Sequence, residues 1–342
     1  MSASIPGQFD PRVPTRPLVA LTLGDPAGIG PELVARALEA AGLQSELSLC
    51  AIGPACLRPA RIPLTRAGHV RSTLRESRAD AVWVDSWAPE RWEMGRAQAA
   101  CGRAALAALR IGHELALSGE VDALVTAPVN KEAMHMAGER IEGQTELLGR
   151  WCGVERIEML ALAGRLRVML LTRHMSLVEA IRSIRTERVL DRLRLFDQSL
   201  RRFGIARPRL ALAGLNPHAG ESGLFGTEEA ELLVPAVASA RADGLDVHGP
   251  LSPDTVFLQA SRGQFDGVLA LYHDQAFIPI KLLDPDGGVT VIAGLPYLRV
   301  SPIHGTAFDI AGKGIASAAN LIAALRQAAE WSVVQREQSL GR

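Results

Sequence analysis

The fold is decided by residues 18–41, LVALTLGDPAGIGPELVARALEAA. The segment Leu18–Leu23 is almost entirely apolar and predicts a buried strand. The segment Pro31–Ala41 places apolar residues at helical spacing behind a proline in the first turn, and this pattern predicts a helix. A glycine-rich loop, Gly24–Glu32, joins the two. A strand, a tight loop and a helix in this order predict an α/β protein with parallel strands.

Apolar runs and amphipathic stretches alternate over the rest of the chain as well. Further strands are predicted over Leu47–Ile52, Ala81–Asp85, Val121–Thr126, Leu166–Leu171, Pro208–Ala213, Phe265–Leu271 and Val289–Ala293. Helices are predicted over Gly95–Leu117, Thr145–Cys152, Thr227–Ala242 and Phe308–Gln327. A capping box at Ser176–Glu179 opens another helix, which is predicted to reach Phe203. Glycine- and proline-rich stretches near 53–63 and 284–306 are predicted to be loops.

Composition narrows the possible function classes. The 342 residues include 37 basic and 37 acidic side chains, so the chain lacks the basic excess that is typical of nucleic-acid-binding proteins. Its length favours two domains. No uncharged apolar run is long enough to span a membrane, and the four cysteines have no metal or disulfide spacing. Residues 1–17 contain no apolar run typical of a signal sequence and are predicted to form a flexible arm. We therefore expect a cytoplasmic protein with neither nucleic acid nor membrane as a partner.

The loop GDPAGIGPE has two interpretations. A glycine loop that leads into a helix N-terminus suits the binding of phosphate or carboxylate. Its spacing differs from the GxGxxG dinucleotide fingerprint, so it is equally compatible with a tight turn that binds nothing.

Three of the eight histidines follow the ends of separate predicted strands. They are His174, His218 and His273. Ligands of open α/β sheets bind at the carboxyl ends of the strands, so these side chains can converge on one cleft. Three neutral imidazoles suit a divalent cation such as Zn, Co or Ni, whereas the alternative for each is a hydrogen-bonded structural histidine. His304, in SPIHGTAFD, serves either a turn or the same cleft.

Two basic residues and two neighbouring polar residues are further candidates for the same site. A lysine near a divalent cation loses its proton more readily, so Lys281 is a candidate base, although a solvated surface lysine is the alternative. Arg299 follows the sequence GLPYL. Gln144 and Thr145 follow a glycine, which predicts the start of a helix with Thr145 as its N-cap.

Eight motifs occur in a fixed order and are specific in combination. They are GDPAGIGPE, TAPVNKEA, GQTELL, LLTRH, GLNPHAGESGLFGTEE, GPLSPDTVF, LYHDQAFIPIK and HGTAFDIAGKG. Together they resemble the PdxA family over about residues 18–330. The family is similar in fold to isocitrate and isopropylmalate dehydrogenases, so the resemblance implies two α/β/α domains with a cleft between them. The approximate domains are 18–127 plus 301–342 for the first and 128–300 for the second.

The resemblance also implies cofactors, a partner and site residues. It implies an oxidoreductase that uses NAD or NADP without a Rossmann fingerprint and works as a homodimer with its active site at the interface. His174, His218 and His273 match the ligands of a divalent metal such as zinc, cobalt or magnesium, and one of them is expected from the partner subunit. The implied substrate contacts are Gln144, Thr145, Lys281, Thr290 and Arg299.

The implied activity is oxidative decarboxylation. The family oxidises 4-phosphooxy-L-threonine to a β-keto acid, which decarboxylates to 3-amino-2-oxopropyl phosphate in pyridoxine biosynthesis. In this chain Lys281 is the candidate catalytic base. Gln144 replaces the more common histidine and Thr290 the usual asparagine, while Asp284 and Asp286 are expected to weaken a local field for anions.

Other functions stay open from the sequence alone. The same chemistry on 4-phosphothreonate or on the cis-dihydrodiol of terephthalate fits the two departures from the family pattern. A non-catalytic protein that binds small anions or nucleotides and a purely structural metal are the remaining alternatives.

Overall fold

In the computed structural model, residues 16–140 and 142–340 are described, so all but the last two residues of the predicted arm lie outside them. Within that part of the chain, twelve strands form a single sheet. They are β1 Leu18–Thr22, β2 Ser48–Pro54, β3 Leu64–Thr65, β4 Ala81–Ser86, β5 Ala123–Thr126, β6 Glu158–Ala163, β7 Leu166–Leu170, β8 Arg209–Ala213, β9 Asp246–Leu251, β10 Gly267–Ala270, β11 Val289–Ala293 and β12 Leu298–Pro302. Their order across the sheet is β3-β4-β2-β1-β5-β12-β11-β6-β7-β10-β8-β9.

Twelve α-helices accompany the sheet in the described residues. They are α1 Gly30–Glu39, α2 Leu43–Glu46, α3 Val70–Ser77, α4 Ala99–Leu117, α5 Lys131–Met136, α6 Gln144–Cys152, α7 Leu177–Arg182, α8 Thr186–Arg202, α9 Val234–Ala242, α10 Val256–Ser261, α11 His273–Leu283 and α12 Ala319–Leu340. Short 3-10 turns span Ala55–Leu57 and Pro217–Gly223, and a π-helical turn at Glu229–Leu233 leads into α9. None of these helices has the length and apolar character needed to cross a bilayer.

Most strand pairs are parallel, and three neighbouring pairs near the centre are antiparallel. These are β12 with β11, β11 with β6, and β6 with β7. The α/β class with parallel strands is therefore confirmed. The division into domains at residues 128 and 300 stays a prediction.

The core is continuous on one face of the sheet and divided on the other. Alternate residues of a strand point to opposite faces, so Val19 and Leu21 join a core that extends as far as Leu212. On the opposite face, β1 and β5 pack against α4 and α6 in one cluster. The strands β7, β8 and β10 pack against α10 and α11 in a second. In the order of the sheet, β12 and β11 lie between the strands of these two clusters.

The glycine loop Gly24–Glu32 is a tight turn between β1 and α1. Gly24 has φ +74°, and a Cβ there would lie 2.3 Å from the carbonyl oxygen of Pro128. A Cβ on Gly30 would lie 2.1 Å from the carbonyl oxygen of Leu23. Because real Cβ atoms do not approach backbone this closely, packing alone requires both glycines.

Several predicted elements differ from the structure. The helix expected from Ser176 to Phe203 is interrupted between α7 and α8, because a turn there buries Ile184 in the core. The helix expected over Phe308–Gln327 begins only at Ala319, after two glycines with positive φ at 312 and 314. The loop expected near 284–306 contains β12 as well as β11.

Candidate active site

A pocket of about 330 Å³ lies over the central strands, in the gap between the two divided cores. The strands β5, β12, β11 and β6 form its floor, and α6 and α11 flank it. Its lining includes Thr126, Lys131, Glu142, Gln144, Thr145, Glu146, Met159, His174, His273, Phe277, Lys281, Thr290, Arg299, Ser301 and His304. The pocket therefore brings together seven of the eight residues that the sequence singled out as metal ligands or substrate contacts.

Two of the three predicted metal ligands face each other in this pocket. His174 follows β7 and His273 follows the neighbouring parallel strand β10. Their ring centroids are 5.5 Å apart. The Nδ1 atom of His273 lies 2.7 Å from Asp274 Oδ1, which leaves Nε2 free to bind a metal. Two imidazoles at this separation, one of them oriented by a carboxylate, fit a divalent cation.

The third histidine does not join them within one chain. His218 follows β8, the next strand after β10, but it does not line the pocket. Within residues 16–140 and 142–340, no group of three His, Cys, Asp or Glu side chains is arranged to hold a metal. One chain thus supplies two of the three expected ligands.

The loop that carries His218 has an unusual backbone. Residues 218–222 all have positive φ, including His218 at +52° and Glu221 at +41°. Such angles are costly for residues other than glycine. The buried Glu229 carboxylate holds the loop by accepting hydrogen bonds from the backbone N–H groups of Leu215 and Asn216, at 2.8 and 2.7 Å. The loop is therefore held in a conformation that presents His218 at the surface.

Arg299 is a buried cation on the floor of the pocket. Only 3% of its surface is exposed, and its Nη2 donates to Thr126 Oγ1 at 2.5 Å. Its Nε has no partner among the described residues. Burial lowers the pKa of the guanidinium from its usual value to about 10, against the opposing effects of Tyr297 and Glu146. A buried cation with a free donor is suited to bind an anion.

The first residues of α6 line the same pocket as Arg299. Gly143 is the N-cap, and no side chain caps the helix, so the prediction that Thr145 is the N-cap is wrong. Thr145 is buried in the first turn instead. Gln144 Nε2 is 3.5 Å from the carbonyl oxygen of Ala127, and its buried Oε1 has no partner among the described residues. Hydroxyl, amide and backbone N–H groups are therefore concentrated beside Arg299.

Thr290 and Lys281 occupy two further sides of the pocket. Thr290 on β11 shares a 2.8 Å hydrogen bond with the hydroxyl of Ser301 on β12. Lys281 lies on α11 at the i+8 position from His273, so both face the pocket together with Phe277. Asp284 and Asp286 line a different pocket, so neither carboxylate is in direct contact with this site.

A pair of carboxylates anchors the residue that precedes His174. Arg173 forms ion pairs with Glu146 at 2.9 Å and with Glu158 at 3.1 Å. Glu158 is 2% exposed, and burial raises its pKa while Arg173 and Arg192 act in the opposite direction. These contacts link the end of β7 to α6, so His174 and Thr145 are held in a fixed relation.

Sequence reasoning missed several lining residues. Thr126 and Glu146 lie in the motifs TAPVNKEA and GQTELL but were not singled out, and Ser301 lies outside the eight motifs. Lys131 did carry a signal, because only three of the 37 basic residues are lysines.

Comparisons with known proteins agree on one family. The family model for "Pyridoxal phosphate biosynthetic protein PdxA" matches residues 48–328. The chain is 42% identical over 323 residues to the D-threonate 4-phosphate dehydrogenase of Salmonella typhimurium, covering 91% of this chain and 97% of that protein. It is 41% identical over 334 residues to the 4-hydroxythreonine-4-phosphate dehydrogenase of Geobacter metallireducens, covering 94% and 97%. A crystal structure of the Klebsiella pneumoniae 4-hydroxythreonine-4-phosphate dehydrogenase superposes with a TM-score of 0.82 at 38% identity, covering 92% and 99%.

Proposed function

Because the chain belongs to the PdxA family of dehydrogenases, we propose that it is an NAD(P)- and divalent-metal-dependent enzyme that oxidises 4-phosphooxy-L-threonine. The product would be a β-keto acid that decarboxylates to 3-amino-2-oxopropyl phosphate, in pyridoxine biosynthesis. The observation that carries this proposal is the pocket itself. It combines paired histidines, a lysine and a buried arginine whose Nε has no partner among the described residues, over the centre of the sheet.

We assign the metal to His174 and His273. A divalent ion supplies Lewis acidity, which eases the loss of a proton from a hydroxyl and polarises a carbonyl. Zinc, cobalt and magnesium are candidates, with imidazole ligands favouring the first two. The nicotinamide cofactor supplies the hydride acceptor.

The remaining residues bind the substrate and handle its proton. Arg299 neutralises the phosphate, and Thr145 and Gln144 donate hydrogen bonds to its oxygens. Thr290 contacts the substrate from the β11 side of the pocket. Lys281 accepts the proton that leaves the substrate hydroxyl.

A second candidate substrate is 4-phosphothreonate, which has a hydroxyl in place of the amino group. The name of the Salmonella relative favours it. So does the ion pairing of Glu146, since this carboxylate is already neutralised by Arg173 and is less available to a substrate ammonium group. No observation in the pocket favours the terephthalate diol.

Turnover assays decide between these substrates. We expect NAD or NADP reduction with 4-phosphooxy-L-threonine in the presence of a divalent metal, and none after chelation. Activity with 4-phosphothreonate alone would transfer the assignment to the second candidate. Failure of both substrates with zinc, cobalt and magnesium would refute the proposed function.

We further propose that His218 completes the site of a second copy in a homodimer. Exposed apolar side chains accompany all three histidines: Leu177 after His174, Leu224 after His218, and Leu282 on the helix of His273. Clusters of exposed apolar residues mark interaction surfaces. The His218→Ala variant is expected to remain a dimer in light-scattering measurements while losing bound metal. A monomeric parent protein would exclude this arrangement.

We also propose that the protein acts in the cytoplasm. All four cysteines, Cys50, Cys56, Cys101 and Cys152, are free thiols, as is usual in a reducing compartment.

A further inference from the structure

Lysine is rare in this chain, and its placement is selective. The 37 basic residues include only three lysines, at positions 131, 281 and 313. Two of them, Lys131 and Lys281, line the candidate active site. Lysine presents a compact ammonium group, whereas arginine presents a broad planar fork. A chain that uses arginine almost everywhere else therefore places compact cations at this pocket.

Lys131 lies at a helix position where a positive charge is unfavourable. It is the first residue of α5, where the free N–H groups of the first turn favour negative charge. Its ammonium forms no ion pair with a carboxylate in the described ranges, and the nearby Glu146 is already paired with Arg173. A side chain whose charge is unfavourable at its helix position, with no ion pair to compensate, is typical of a functional site.

The backbone beneath Lys131 is firmly held. The Asn130 side chain caps α5 by accepting a 2.8 Å hydrogen bond from the backbone N–H of Ala133. The helix packs so closely on α4 that a Cβ on Gly102 would lie 2.0 Å from the carbonyl oxygen of Ala133. The side chain of Lys131 is nevertheless exposed. The backbone of Lys131 is thus held in place, while its ammonium group is accessible to a ligand.

Lys131 approaches the pocket beside Gly143, the N-cap of α6. Its Cε lies 3.8 Å from the position that a Cβ on Gly143 would occupy. Lys131 and His174 both line the pocket. Arg299 lies instead on the floor, beside Thr126. Lys131 is exposed and Arg299 is buried, so the two cations lie at different depths of the pocket and are suited to bind different anionic groups of one ligand.

We propose that Lys131 is a further substrate-binding residue and that its ammonium group contacts the carboxylate of the substrate. The assignment rests on the proposed function, in which Arg299 binds the phosphate at the other end. It makes Lys131 a determinant of specificity for substrates that carry both a carboxylate and a phosphate.

Binding of two simple probes to the metal-loaded protein tests this assignment without turnover. L-threonine carries a carboxylate without a phosphate, and glycerol 3-phosphate carries a phosphate without a carboxylate. Titration calorimetry is performed on the parent protein, Lys131→Met, Lys131→Arg and Arg75→Met. The last variant removes one exposed cation from α3, far from the pocket.

We expect Lys131→Met to weaken L-threonine binding about tenfold, as for loss of one charged hydrogen bond, and glycerol 3-phosphate binding less than about twofold. Lys131→Arg should recover most of the loss, and Arg75→Met should match the parent. Equal losses for both probes, a loss for the phosphate alone, no loss, or failure of L-threonine to bind the parent would each overturn the assignment. Because this experiment measures binding, it tests the role of Lys131 separately from the proposed function. Absence of turnover would refute the proposed function but would not decide the role of Lys131.

Discussion

Replacement of Arg299 by methionine is expected to stabilise the protein while removing its affinity for phosphate. The guanidinium is 3% exposed, and its Nε has no partner among the described residues. Methionine has a similar length and no charge, so it can occupy the same space without a desolvation cost. Stability and function are therefore predicted to change in opposite directions at this position.

The structure gives the size of the effect. Burial lowers the pKa of Arg299 from its usual value to about 10, which corresponds to a cost of about 3 kcal/mol for the charged form. Loss of the hydrogen bond to Thr126 offsets about 1 kcal/mol of the stability gained by removing the buried charge. We expect the free energy of unfolding at neutral pH to rise by about 2 kcal/mol, which raises the Tm by roughly 3 °C in a chain of this length.

Urea denaturation followed by circular dichroism, at fixed protein concentration, measures the stability change. Thermal unfolding with and without inorganic phosphate measures the affinity, and phosphate should protect the parent but not Arg299→Met. The matched control is Arg202→Met. Arg202 is half-buried and donates to the carbonyl oxygens of Leu295 and Pro296 at 2.6 and 2.9 Å, so its loss should destabilise the protein. A decrease of more than about 1 kcal/mol for Arg299→Met would refute the reasoning, since it would mean that the guanidinium is well paired.

Three further predictions follow from other parts of the structure. Burial raises the pKa of the Asp25 carboxyl to about 6, so the folded state binds a proton more tightly than the unfolded chain, and the free energy of unfolding should fall as pH rises from about 4 to about 6. Asp25→Asn should remove this fall in denaturation curves recorded across that range, and an unchanged pH dependence would contradict the prediction. Chelation of the metal should abolish NAD(P)H formation even at low temperature, where the protein stays folded. Added zinc, cobalt or magnesium should restore the activity. A lower Tm with activity intact would indicate a structural metal instead. Ser176→Ala should cost about 1 kcal/mol in urea denaturation, because the hydroxyl accepts from the N–H of Glu179 in a complete capping box, and a change near zero would show that the box does not stabilise α7.

The sequence predicted the elements whose signals are local. The strand and helix at either side of the glycine loop, and the capping box at Ser176, are confirmed because apolar periodicity and cap chemistry act over a few residues. The positions of His174 and His273 at the ends of adjacent parallel strands followed from the same alternation.

Elements that depend on tertiary contacts were not predictable in this way. The strand β12, which carries Arg299, lies in a glycine- and proline-rich stretch and is fixed by pairing with β5 and β11. The helix α11 contains Pro279, a residue that usually ends a helix, so its alignment of His273 with Lys281 could not be inferred from propensity. The separation of His218 from the other two histidines depends on the left-handed loop after β8, which no periodicity encodes.

The division of the metal site between two copies of the chain is the most direct test of this account. His174→Ala and His218→Ala homodimers should each be inactive. After the two are mixed under conditions that exchange subunits, the hybrid contains one site with His174 and His273 from one copy and His218 from the other. Roughly a quarter of the parent activity should then return. Inactive variants whose mixture stays inactive despite proven subunit exchange would contradict a site shared between two copies.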